Sequence, residues 1–215
     1  MSSIPIIVIG AGGHAVVVAD ALLSVGATVL GFTDTRAELA GSQICGLPVL
    51  GNDEVLATRT SQNVNLANGL GGTGKNAPRR AVQQRLESEG WHFIGVQHPS
   101  AIVSPFATIG DAVQLLVGCV VQARARLGDG CIVNSAAIVE HDVELGEFAH
   151  VAPGAIVCGA ARVGKESHVG AGAVLLQGVS VGSLTLIGAG AVVVKNFKGN
   201  GLLVGVPTKS VGLVK

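Results

Sequence analysis

From Val103 to Val193 every sixth residue is Val, Ile or Leu, and no insertion breaks the register. The fifth place of each hexad is small as well, running Ala107, Val113, Cys119, Ala125, Cys131, Ala137 and on to Ala191. A six-residue period matches neither the turn of an α-helix nor the alternation of a long strand. It matches short strands joined by tight turns, stacked so that neighbouring coils form parallel ladders. Gly110, Gly128, Gly146, Gly164 and Gly182 then recur at every third hexad, in the place after the aliphatic residue. Three hexads therefore complete one coil, and the coils stack into a triangular prism. The glycine column is expected to supply backbone angles closed to other residues, as a tight corner requires. Five coils stand about 24 Å tall at the ladder spacing of a sheet.

Composition agrees with such a prism. Of 215 residues, 48% are hydrophobic and only 13% charged, the reverse of a disordered chain. Formal net charge is zero and aromatic content 3%, which argues against a basic nucleic-acid face or a base-stacking platform. Val169 to Val194 carries no charge, and a hydropathy window alone reads it as a membrane helix. Its glycines and its unbroken hexads assign it to the prism instead. Cys119 and Cys131 fall in the small series and read as packing residues, and the four cysteines form no metal or disulfide pattern. No basic, cleavable leader follows Met1, so the expectation is a cytoplasmic protein without membrane or nucleic-acid partners.

The first half has another pattern. Ile4 to Ile9 is an apolar run ending in Gly10-Ala11-Gly12-Gly13-His14, followed by a helical stretch from Ala15 and a second apolar run, Thr28 to Phe32, that reaches Asp34. A helix near 52–58, a strand near 64–67, a helix near 77–89 and a strand near 92–96 complete an α/β domain with a parallel sheet. Residues 1–98 are thus expected to form a Rossmann-like nucleotide-binding domain, and residues 99–215 an all-β prism with a C-terminal tail. Gly10-x-Gly12-x-x-Ala15 superficially fits a dinucleotide fingerprint, but the domain has room for one mononucleotide half. Two readings stay open: a plain strand-to-helix turn, or a phosphate-bearing nucleotide at the helix N-terminus. The Gly-rich stretch 67–76, with Lys75 and Arg79, is a second candidate phosphate loop.

Among the histidines, His141 takes the third place of its hexad and should project from the prism, between Glu140 and Asp142. Either it is an exposed turn residue among solvated acids, or it is a base whose tautomer a carboxylate fixes. His150 and His168 both take sixth places, one coil apart, and are expected to stack on one corner. Metal binding, cofactor contact and plain structure remain open there, although a metal needs at least one more ligand.

The hexad series and the ending Gly205-Val206-Pro207-Thr208-Lys209 resemble the hexapeptide-repeat acyltransferases and their GVPAK tail. Joined to the Gly-Gly-His turn and the Asp after the second strand, they resemble the bacterial nucleotide-linked amino-sugar N-acetyltransferases of that family. The resemblance implies a left-handed β-helix, acetyl-CoA as co-substrate without a metal, a homotrimer, and acetylation of an amine on a nucleotide-linked sugar. Transfer to a sugar hydroxyl is the alternative, and a zinc carbonic anhydrase relative or a non-catalytic sensor are rivals from other classes. Carried over residue by residue, His141 is the general base with Asp142 as its partner and Glu140 in reserve. Gly13, His14, Asp34 and Asn134 contact the nucleotide sugar. His150, Gly159, Ala171, Ala189 and Lys209 contact acetyl-CoA, with the Gly159 N–H serving the oxyanion.

Overall fold

The computed structural model describes residues 4–72 and 77–212. Their contacts divide them into two units, one of 4–71 with 78–99 and the other of 72, 77 and 100–212.

The first unit is built on β1 (Ile6–Ile9), whose four residues are all buried. α1 (Gly13–Ser24) buries Ala15, Val18, Ala19 and Leu22, a spacing that lays one helical stripe on the sheet. β2 (Val29–Thr33), β3 (Gln43–Ile44), β4 (Leu47–Gly51) and β5 (Asn65–Asn68) complete a sheet of order β3-β4-β2-β1-β5. All pairs are parallel except the β3–β4 hairpin. That hairpin is absent from the sequence reading. Its turn residues Cys45 and Gly46 both take positive φ (50° and 79°), and a cysteine there carries none of the usual turn signal. The helix expected at 52–58 is a 3-10 segment, Asp53–Thr58, opened by Asn52, whose side chain accepts the Glu54 N–H (3.0 Å). So short a segment, ended by an extended Arg59, cannot propagate a stable α-helix. α2 (Ala77–Ser88) forms as expected, whereas the strand near 92–96 shrinks to a bridge between Leu66 and Phe93 and a short strand, Val96–Gln97.

The second unit is a three-sided parallel β-helix. Its first face stacks strands from Ile102–Val103 to Val192–Val193, one from each coil. The second runs from Thr108–Ile109 to Ser180–Val181. The third runs from Gln114–Leu115 to Thr185–Ile187, then adds Gly201–Val204 and the antiparallel strand Lys209–Ser210. The aliphatic series is buried from Leu115 to Val193, and only Ile109, in the first coil, is exposed. Cys119 and Cys131 lie in that core, and burial pushes the Cys119 thiol up to about 11. The charge-free stretch from Val169 is short strands and turns, and no helix among the described residues is long and apolar enough to cross a membrane.

The glycine column does not make the left-handed corners expected of it. The corners do turn through left-handed backbone, but at the fourth place of each hexad, from Ala112 to Gly190. The glycine column sits in the second place, and none of its five members has positive φ. Glycine is needed there because the next coil lies too close. A Cβ on Gly164 would stand 2.3 Å from the Ser183 nitrogen, and one on Gly146 2.6 Å from that of Lys165.

Candidate active site

The turn Glu140-His141-Asp142-Val143 carries the chain from the first face to the second, between Ile138–Val139 and Glu144–Leu145. Val139 and Val143 are fully buried and pin both ends, leaving the His141 side chain 60% exposed. Asp142 takes φ 60°, a left-handed conformation that Asp tolerates better than most residues. This folds its carboxylate back beside the preceding ring, and His141 Nδ1 donates to Asp142 Oδ2 at 2.8 Å. In the neutral ring this bond selects the Nδ1–H tautomer, in which Nε2 carries the lone pair. One coil on, Gly159 lies under the ring. A Cβ there would stand 2.6 Å from Nε2, so the missing side chain is what leaves this nitrogen open. The Gly159 carbonyl accepts from Gly178, while its N–H meets no acceptor among the described residues. One coil back, Arg124 Nη2 donates to Asp142 Oδ2 at 2.8 Å. Together the two donors hold the Asp142 carboxyl below its ordinary value.

His150 and His168 face one another across neighbouring strands of the third face. They do not sit on a corner, because the sixth place of each hexad lies within a strand. The rings meet edge to face with centroids 4.7 Å apart. His150 is buried, and Nδ1 donates to the Gly72 carbonyl (3.0 Å) while Nε2 accepts from Asn134 Nδ2 (3.0 Å). Asn134 Oδ1 accepts from the Ser135 N–H at 2.8 Å. Two residues expected on different substrates thus hold each other. His168 Nδ1 is buried and finds no partner among the described residues, and burial pushes this imidazole below its ordinary value. The folded unit therefore resists a proton that the unfolded chain accepts below about pH 6.5. Stability is complete above that value and falls as pH drops toward His168's lower folded value. His168→Leu, matching Leu186 in the next coil, should flatten this acid-side loss in thermal melts. Parallel wild-type and variant curves would show that His168 is not the cause.

Ala171 and Ala189 occupy successive turns on the corner between the third and first faces, linked by Gly190 N–H to Ala171 O (2.8 Å). That is not the His141 corner. Lys209 is exposed on the terminal antiparallel strand, opposite Val204. No group of three His, Cys, Asp or Glu side chains among the described residues is placed to hold a metal.

In the first unit the Gly-rich turn lies at the C-terminal end of β1, between β2 on one side and β5 on the other. This is the switch point at which open α/β sheets receive ligands. Gly13 opens α1 with open space where a Cβ would stand. Gly71 passes over His14, close enough that a Cβ would come 3.0 Å from that of His14. Asp34 Oδ2 accepts the Ala11 N–H (2.9 Å) and so braces the turn. Arg36 also grips both oxygens of Asp34, Nε to Oδ1 at 2.8 Å and Nη2 to Oδ2 at 2.9 Å. This guanidinium holds the Asp34 carboxyl far below the usual carboxylate range. Lys75 lies outside the described residues, and the Arg79 side chain is buried in α2.

The PglD N-terminal domain family matches residues 5–86. The acetyltransferase domain of PglB from Neisseria gonorrhoeae FA1090 is 37% identical with TM-score 0.90, over 96% of this chain and 99% of that one. PerB from Caulobacter crescentus, solved with CoA and GDP-perosamine, is 34% identical with TM-score 0.89, over 98% and 99%. The chain belongs to the hexapeptide-repeat nucleotide-sugar acetyltransferases. WeeI from Acinetobacter baumannii AYE, at 18% identity and TM-score 0.67, shares the fold. No curated protein matches the sequence. The β-helix of this acetyltransferase is left-handed. Two side chains of the acetyltransferase escaped the sequence reading, Arg124 and Arg36. Arg36 lies close to its carboxylate in the chain, a visible signal. Arg124 lies a whole coil away from Asp142, and only the coil period could have pointed to it.

Proposed function

We propose that this acetyltransferase moves the acetyl group of acetyl-CoA to the amino group of a nucleotide-linked amino sugar, with His141 as general base. The observation that carries this is the His141–Asp142 contact, which turns Nδ1 to the carboxylate and presents Nε2, the lone-pair nitrogen of the neutral ring, in the open space above Gly159. The relatives add support. PerB is solved with CoA and GDP-perosamine, and its histidine-to-asparagine and histidine-to-alanine mutants with the same two molecules. In the reaction the neutral sugar amine attacks the thioester carbonyl, and a tetrahedral intermediate forms. His141 Nε2 takes the proton leaving the nitrogen, the C–S bond breaks, and coenzyme A departs as thiolate to be protonated by the imidazolium. The Gly159 N–H is the candidate donor to the oxyanion. Gly13, His14 and Asp34 are assigned to the nucleotide sugar together with Asn134. His150, Ala171, Ala189 and Lys209 are assigned to acetyl-CoA.

For His150 this assignment is limited by geometry. Both of its ring nitrogens are bonded within the chain, so its contribution is to hold Asn134 and present a ring surface. A homotrimer is part of this reading, and the first face supports packing against other copies. Ile102, Val120, Ile138, Ile156, Val174 and Val192 form its outer ladder, an apolar stripe that is partly exposed throughout. His141 borders this face on one edge, and Ala171 with Ala189 on the other. One prism holds these two corners apart, so packing against a second copy is what lets both contact one acetyl-CoA. Use of acetyl-CoA and a nucleotide sugar argues for the cytoplasm.

The test is turnover of acetyl-CoA with UDP-, GDP- and dTDP-linked amino sugars, following free thiol and product mass. One of these amines, GDP-perosamine first among them, is expected to be acetylated on nitrogen. Acetylation only of hydroxyls, or no thiol release with any sugar, would reject the reading.

A further inference from the structure

We propose that Arg124 is a positioning residue for the His141–Asp142 pair, acting through the Asp142 carboxylate and never on the substrates; this rests on the acetyl-transfer function proposed above. Arg124 and Asp142 are both fourth-place residues, one coil apart, and both are left-handed (φ 62° and 60°). Equivalent places in adjacent coils project side by side, one ladder step apart. Arg124 Nη2 and His141 Nδ1 converge on the same oxygen, Asp142 Oδ2, each at 2.8 Å. A carboxylate oxygen has two lone pairs. With one taken by the guanidinium, the other is aimed at the ring, and the carboxylate loses the freedom to rotate away from it.

Charge adds a second consequence. An unpaired carboxylate beside an imidazole favours the protonated ring, which is useless as a base. A cation on the same oxygen offsets that attraction and keeps the base available at lower pH. Other described residues surround the pair, some of them charged. Glu140 shares its turn, Cys158 and Ala160 face it from the next coil, and Arg126, Glu144 and Arg162 line the adjoining cleft of about 380 Å³ on the second face. Of these, Arg162 is drawn to Glu144 at 3.4 Å, and among the described arginines and lysines only Arg124 bonds the Asp142 carboxylate. Because Arg124 is well exposed, the effect is modest.

The experiment uses the full-length protein as wild type, Arg124→Gln, Arg124→Lys, Asp142→Asn and the double variant Arg124→Gln/Asp142→Asn. Arg124→Gln should lower kcat about 3- to 10-fold, with the KM of both substrates changed less than about 2-fold. The acid limb of its kcat/KM profile should move to higher pH by several tenths of a unit, and Arg124→Lys should recover most of both changes. In the Asp142→Asn background, Arg124→Gln should do nothing further. A rise in either KM with kcat and profile unchanged would make Arg124 a binding residue and overturn the proposal. So would additive effects in the double variant, or no effect at all. A readout without substrate separates this from failure of the proposed function. In NMR titrations, the pH at which the His141 ring resonances change should move upward in Arg124→Gln, whether or not any amino sugar is acetylated. An unmoved titration would reject the role of Arg124 even in an active enzyme.

Discussion

His141→Ala lowers kcat by about 10² to 10⁴, the usual contribution of a positioned general base, or roughly 3–5 kcal/mol of barrier. The folded prism should be unaffected, because the side chain projects from a turn whose buried anchors are Val139 and Val143. Acetyl-CoA affinity should also be retained, which makes this a loss in the reaction step and not in binding. His141→Asn is the sharper variant. It keeps a polar group above Gly159 but cannot take a proton. An amine is already nucleophilic once neutral, so the first bond can form without the base, and the proton must then leave by way of water. The Asn variant should therefore retain more rate than Ala, most clearly toward about pH 9, where the amine is neutral. The measurement is kcat for both variants between about pH 6 and pH 9 with the nucleotide amino sugar that wild type acetylates. Both variants matching wild type across that range would remove His141 from the mechanism.

The second large effect is on folding. Val151 is fully buried, with Val133 and Val169 as its ladder partners in the coils on either side. Val151→Asp places a carboxylate among aliphatic side chains with no cation in reach, at a cost of several kcal/mol. For a chain of this size that corresponds to a fall in Tm of about 10 °C or more. Thr108→Asp is the matched control, an exposed outward place on the second face, where the change should stay within about 0.5 kcal/mol. Equal melting of the two variants would mean that the inward register is misassigned. Since stacked coils support one another only through their neighbours, the damage should spread outward from the central coil, and hydrogen exchange should show it there first.

The prism was legible in the sequence because its physics is local and repeated. Each coil presents the same demand for an aliphatic residue inward, a small residue beside it and glycine where the next coil presses close. A demand met over and over along one chain leaves a period that can be read without coordinates. The Gly-rich turn of the first unit was legible for a similar reason, since strand, turn and helix follow one another directly. The β3–β4 hairpin was not, because Cys45 in left-handed backbone leaves no mark in composition.

At the candidate site the division is sharper. The hexad register alone put His141 outside the prism between two acids, but it had no means of choosing between Glu140 and Asp142. The choice was made by the left-handed turn at Asp142, which bends its carboxylate onto Nδ1. The same holds for Arg36 on Asp34, for Asn134 on His150 and for Arg124 on Asp142. Residue spacing determines which coil and which face a side chain occupies. Which lone pair meets which proton depends on backbone φ and side-chain rotamers, and those are settled only when one coil packs against the next.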